Sequence, residues 1–132
     1  MATRTVGVVL SGCGFLDGSE IHEATLTLLA LDRRGARALA IAPDRAQMHV
    51  VDHAAGQPVE GVSRNVLQES ARISRGQIRP LAAVDPADFD ALVFPGGYGA
   101  AKNLCSWAVD GAKMRVHPDV DEKKMREAAR FF

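Results

Sequence analysis

The apolar positions of this chain fall into short unbroken runs, separated by segments in which they recur with helical spacing. Val6-Gly7-Val8-Val9-Leu10, Ala38-Leu39-Ala40-Ile41-Ala42 and Ala91-Leu92-Val93-Phe94 are such runs. Without polar alternation they suit strands covered on both faces, as in a parallel sheet. After the first run the period changes: Ile21, Ala24, Leu28 and Leu31 share one helical stripe. Ser19 is placed to cap that helix, and Gly35 stands where a C′ glycine ends it. Residues 63–75 repeat the helical spacing through Val66, Leu67, Ser70, Ala71 and Ile73, with Gly76 as the stop. Met48–Val51 reads as a lesser strand, and Gly56-Gln57-Pro58 turns the chain after it. Asp85-Pro86 predicts an N-cap followed by proline at N1 of one short turn. Pro95-Gly96-Gly97 ends the third run, and a helix is expected from near Ala100. A last helix is expected after Pro118, with Met125, Ala128, Ala129 and Phe132 on its stripe.

Strands alternating with helices in this order predict an α/β sandwich with a mostly parallel sheet. The 132 residues form a single domain by length, with no internal repeat, low-complexity tract or linker between two units. The final helix runs to Phe131-Phe132 without a cap, where this topology expects a further strand. The chain is therefore expected to be the N-terminal portion of its domain, with the C-terminal part absent.

Sixteen basic and sixteen acidic side chains cancel. That leaves no excess positive field to hold a nucleic acid or an anionic membrane, so neither is expected as a partner. The first apolar run is too short for a signal segment or a membrane span. Cys13 and Cys105 do not make a secreted disulfide framework and read as free thiols in a reducing, cytoplasmic setting.

Four groups of residues have chemical potential, and each has a plain alternative. Gly12-x-Gly14-x-x-x-Gly18 could cradle phosphate, but its spacing is one residue too long for the dinucleotide fingerprint, and a tight structural turn competes. His49 and His53 sit four apart. In extended chain that is about 13 Å, too far for one ion, so surface histidines are expected and no metal. The turn Gly96-Gly97-Tyr98-Gly99, with Lys102 and Asn103 following, either forms an oxyanion-binding nest or only permits a sharp exit from the strand. Glu23 lies one position from the apolar stripe of the first helix, near the carboxyl end of the first strand. There it is either partly buried with a raised pKa or an ordinary solvated helix residue.

Three motifs in order resemble the ElbB-type proteins of the PfpI-like superfamily, also called sigma cross-reacting proteins or isoprenoid-biosynthesis glyoxalases. They are Ser11-Gly12-Cys13-Gly14 with Asp17-Gly18-Ser19-Glu20-Ile21-His22-Glu23-Ala24, Arg64-Asn65-Val66-Leu67 with Glu69-Ser70-Ala71-Arg72-Ile73 and Arg75-Gly76, and Pro95-Gly96-Gly97-Tyr98-Gly99-Ala100-Ala101-Lys102-Asn103-Leu104. The resemblance covers essentially the whole chain. It implies the class I glutamine amidotransferase-like fold, a flavodoxin-like three-layer sandwich. It also implies a site made of a reactive cysteine on a strand-to-helix elbow, Glu23 as the catalytic carboxylate, and amide donors from Gly96 and Gly97. Asn103 and Cys13 are the further candidates for the oxyanion and substrate side of that site.

The elbow should come after the last helix, so its cysteine is expected to be missing. Cys105 falls where the family has a small residue inside a helix, and reads as an ordinary half-buried cysteine. Cys13 lies on the side where the site forms, but in a different loop from the elbow.

The resemblance implies glyoxalase-like chemistry on small 2-oxoaldehydes such as glyoxal and methylglyoxal. No cofactor is implied, a homodimer or higher self-association is suggested, and this chain alone is expected to be inactive. The alternative is a non-catalytic binding or regulatory module that acts through self-association across an unpaired sheet edge.

Overall fold

The computed structural model describes residues 2–120. Strand β1 (Thr5–Val9) lies at the centre of a parallel sheet. On one side it pairs with β2 (Arg37–Ala42), which pairs in turn with β5 (Ile78–Pro80). On the other side it pairs with β6 (Ala91–Val93), giving the order β5-β2-β1-β6. A separate antiparallel hairpin joins β3 (Val51–Asp52) to β4 (Gln57–Pro58).

Pleating alone divides the core in two. Val8, Leu10, Ala40 and Ala42 meet Ala24 of helix α1 (Ile21–Arg33) and Val66 of helix α2 (Val66–Ser74) on one face. Val9 and Ile41 point to the opposite face, where Leu81, Val84, Leu104 and Val120 cover them. Both faces of the inner strands are dry, which is why their sequences run apolar without alternation. The result is an α/β fold with layers on either side of a parallel sheet.

Helix ends follow local chemistry. Gly35 takes the C′ position of α1: its N–H reaches Asp32 O, and Ala36 N–H reaches Leu31 O, closing a Schellman turn. Asp85 caps the 3-10 turn Pro86–Asp88 with a reciprocal box to Asp88.

Several expectations need correction. Ser19 does not cap α1. It is fully buried, and Glu20 caps instead, accepting Glu23 N–H at 2.7 Å. The second helix starts at Val66 rather than near Ser63, because the Asn65 side chain accepts Gln68 N–H and fixes the cap there. The extended segment near 48–51 is the two-residue β3, outside the main sheet. Strand β6 is half-buried rather than covered, since it is the edge of the described sheet. Strand β5 was not anticipated: three residues ending in Pro80 carry no apolar run, and an edge is where a sheet tolerates proline. The expected helix through Met125, Ala128, Ala129 and Phe132 lies outside the described residues.

Candidate functional site

Loop A (Ser11–Glu20) leaves the carboxyl end of β1 and enters α1 on one face of the sheet. Loop B (Phe94–Tyr98) leaves the carboxyl end of the neighbouring β6 and enters α3 (Gly99–Asn103), whose Ala100 packs on the other face. Adjacent parallel strands whose exits diverge make a topological switch point, and the crevice between them is where open α/β sheets place their ligands.

Backbone hydrogen bonds knit the loops together. Glu20 N–H donates to Gly96 O at 2.7 Å, Tyr98 N–H to Phe15 O at 2.8 Å, and Gly99 N–H to Gly18 O at 2.9 Å. Lys102 Nζ donates to Leu16 O at 2.7 Å. Within loop A, Gly12 N–H goes to Ser70 Oγ, Gly14 N–H to Ser19 O, and Gly18 N–H to Gly14 O. All three glycine amides of the Gly12–Gly18 segment are committed inside the fold, which fits a packed structural turn.

Glu23 is exposed, and its carboxylate lies directly over Gly96: a Cβ built there would overlap Glu23 Oε2 and sit 3.0 Å from the carboxyl carbon. Gly97 follows at φ +112°, where a Cβ would lie 2.5 Å from Glu20 N and 2.9 Å from Ser19 C. Only glycine permits that approach. Among the described residues, neither Gly96 N–H nor Gly97 N–H has a hydrogen-bond partner. Two free amide donors beside a carboxylate can stabilise an oxyanion while the carboxylate carries a proton.

Asn103 has a different place from the one expected. Its buried amide donates to Ser11 O at 2.7 Å and Asp17 O at 2.9 Å, and its Oδ1 accepts Met48 N–H at 3.0 Å. With every side-chain polar atom used inside the fold, Asn103 holds loop A. The positioning roles of three residues escaped the sequence reading. Ser19 accepts Ser11 N–H at 2.9 Å, buried Asp17 accepts Val51 N–H at 2.8 Å, and Lys102 ties loop A to α3 through Leu16 O. The Asp17-Gly18-Ser19 string was visible as a motif, but nothing in its spacing foretold which side chains turn inward.

His53 lies at the surface, as expected, but closes over loop A: its ring meets Phe15 edge-on at 5.5 Å between centroids, and Nε2 accepts Leu16 N–H at 3.3 Å. Its Nδ1 lies 3.1 Å from Val51 O, and its Nε2 lies 3.7 Å from Asp17 Oδ1. No cluster of three or more His, Cys, Asp or Glu side chains with metal-binding geometry occurs among the described residues.

Neither thiol bonds to Glu23. Cys105 Sγ sits 3.5 Å from Ala100 O. Cys13 is half-buried, and burial pushes its thiol above the ordinary range; Arg72 opposes that shift, while Glu69 and Asp17 add to it. At neutral pH Cys13 is a thiol rather than a thiolate, which is the weaker nucleophile. Beside Gly97, an open groove of about 310 Å³ is lined by Phe15, Glu20, Gly97 and Tyr98.

No family model matches the chain. It is 58% identical over 116 residues to the human glutamine amidotransferase-like class 1 domain-containing protein 3, mitochondrial. It is 56% identical to the rat ES1 protein homolog, mitochondrial, and 44% identical to the zebrafish (Danio rerio) ES1 protein, mitochondrial. Each similarity covers 88% of this chain, which spans only 43–44% of the length of those relatives. Among solved structures, it superposes with a TM-score of 0.81 and 43% identity on an isoprenoid biosynthesis protein with an amidotransferase-like domain from Ehrlichia chaffeensis. That overlap covers 87% of this chain and 54% of the other. The three vertebrate relatives are mitochondrial by name, a different compartment from the cytoplasmic one expected for this chain. No helix among the described residues is long and apolar enough to cross a membrane.

Proposed function

We propose, from this similarity to glutamine amidotransferase-like class 1 domain proteins and from the crevice itself, that the chain carries the acid and amide half of an ElbB-type, glyoxalase-like site. The supporting observation is the Glu23 carboxylate packed on Gly96, beside two amide donors without partners. The substrate class is a small 2-oxoaldehyde. A thiolate adds to the aldehyde carbon, and the amides of Gly96 and Gly97 bind the oxygen on which charge develops. Glu23 takes the proton from that carbon and returns it to the neighbouring one. The aldehyde carbon is thereby oxidised to a thioester while the ketone is reduced to an alcohol, and water then releases the 2-hydroxy acid and the thiol. No outside oxidant is needed.

Neither Cys13 nor Cys105 is placed to supply that sulfur, so the chain alone should convert no methylglyoxal to lactate. An added small thiol forms the hemithioacetal in solution and stands in for the missing group. With it, lactoyl thioester should form faster than with thiol alone; Glu23→Gln should abolish the gain and Cys13→Ser should keep it. No acceleration would sink the proposal. Turnover without added thiol that disappears in Cys13→Ser would instead make Cys13 the nucleophile.

A second reading, a non-catalytic module that self-associates, is favoured by one feature. The outer edge of β6 has no strand partner among the described residues, and Phe94 beside it is exposed, as are Trp107 and Val109. Light scattering tests it: a monomer at high concentration rules it out. In either reading the two free cysteines fit a reducing compartment.

A further inference from the structure

The groove between Phe15 and Tyr98 shares Gly97 with the proposed site, yet the chemistry of a three-carbon dicarbonyl makes no use of it. We propose that this groove is the specificity pocket of that site, and that it selects uncharged carbonyl compounds bearing an aryl or similarly flat apolar group. The inference rests on the glyoxalase-like reading for its chemistry and on the groove for its selectivity.

Size comes first. The open groove, at about 310 Å³, is larger than a three-carbon dicarbonyl needs, and a flat ring can lie along it. The walls come second. Phe15 and Tyr98 keep 48% and 58% of their surface exposed, although rings of this size normally bury most of theirs.

Each ring has a neighbour. The Tyr98 N–H bond to Phe15 O ties their backbones, His53 packs against Phe15, and the Lys102 ammonium stands 5.9 Å from the Tyr98 centroid. Exposed aromatic surface on both walls offers a flat guest apolar contact. The unpartnered Gly97 N–H then meets the guest's carbonyl oxygen.

Charge completes the selection. Glu20 lines the groove, and its carboxylate accepts Glu23 N–H at 2.7 Å and contacts His22 Nδ1 at 2.9 Å. Both contacts hold its pKa below the usual carboxylate range, so the groove is negative at neutral pH. No lysine or arginine lines it; the Lys102 ammonium beside Tyr98 is engaged by Leu16 O at 2.7 Å. An acid of the same shape as an acceptable ketone is therefore repelled.

The test uses unreactive probes on the whole chain. Acetophenone, which has no aldehyde hydrogen to transfer, should shift the amide resonances of Gly97 and Tyr98. Its apparent affinity should fall about fivefold or more in Tyr98→Ala and in Phe15→Ala; both side chains are exposed, so the fold should survive. Benzoate should bind about tenfold more weakly than acetophenone, and Glu20→Gln, which keeps a capping oxygen, should narrow that gap. In the thiol-supplemented assay, phenylglyoxal should be converted more efficiently than methylglyoxal. The inference is overturned if acetophenone fails to bind, if it binds equally well to the alanine variants, or if benzoate binds as tightly. Equal conversion of the two oxoaldehydes overturns it while leaving the glyoxalase reading intact. Acetophenone binding without conversion of either oxoaldehyde leaves the groove standing and removes the glyoxalase reading.

Discussion

Consecutive glycines in loop B should respond very unequally to alanine. At Gly97, φ is +112°, and a Cβ would press on Glu20 N and Ser19 C at 2.5 and 2.9 Å. The backbone strain costs about 1–3 kcal/mol. Separating the loops to relieve the overlap breaks the bonds from Glu20 N–H to Gly96 O and from Gly99 N–H to Gly18 O, at about 1 kcal/mol each. Gly97→Ala should therefore destabilise by about 4 kcal/mol, a large part of a typical 5–15 kcal/mol total. With a urea m-value near 2 kcal/mol/M, the midpoint falls by about 2 M.

At Gly96 the neighbour is the far end of an exposed Glu23 side chain, which can swing into water. Gly96→Ala should cost less than about 1 kcal/mol, partly offset by the lower freedom of the unfolded chain. It should nonetheless abolish the thiol-dependent activity by displacing the carboxylate. Urea titrations followed by far-UV circular dichroism separate the two. Equal losses in both variants, or a loss under about 1 kcal/mol for Gly97→Ala, would refute the packing argument.

Asn103→Ala should strand Ser11 O, Asp17 O and Met48 N, at about 1–3 kcal/mol per buried group. Calorimetry should show Tm falling by about 10 °C or more. In a Cys105→Ser background, Cys13 should react with iodoacetamide at pH 8 several-fold more slowly than free cysteine, because burial favours the thiol. Mass spectrometry reads that rate, which should climb with pH beyond the point where free cysteine levels off. Glu20 titrates below its unfolded value because Glu23 N–H and His22 favour the carboxylate. Its contribution to α1 is present above the unfolded value near 4.3 and is lost as pH falls through the lower folded one. Glu20→Gln should flatten that part of the acid unfolding curve.

The central strands, α1 and α2 were legible because each obeys one local rule: a dry run of 2-period chain, or a 3.6-period stripe closed by glycine. Strand β5 was not, since three edge residues bury too little to leave a pattern. The cap of α1 was misplaced for a related reason. Ser19 has the better intrinsic cap chemistry, but tertiary packing draws its hydroxyl inward to Ser11 N–H, and Glu20 takes the vacated role. At the site, Glu23, Gly96 and Gly97 were marked by motif and then brought together by the β1–β6 pairing. Asn103 was marked too, yet only long-range contacts reveal that its amide is consumed by Ser11 and Asp17, both more than eighty residues away along the chain.

The single bond from Glu20 N–H to Gly96 O has a mechanical meaning. It fastens the first turn of the helix that bears Glu23 to the strand exit that bears Gly96 and Gly97, so the two backbone segments shift as one body. Thermal motion there moves the two backbone segments together, while the exposed Glu23 side chain keeps its own rotamer freedom above Gly96.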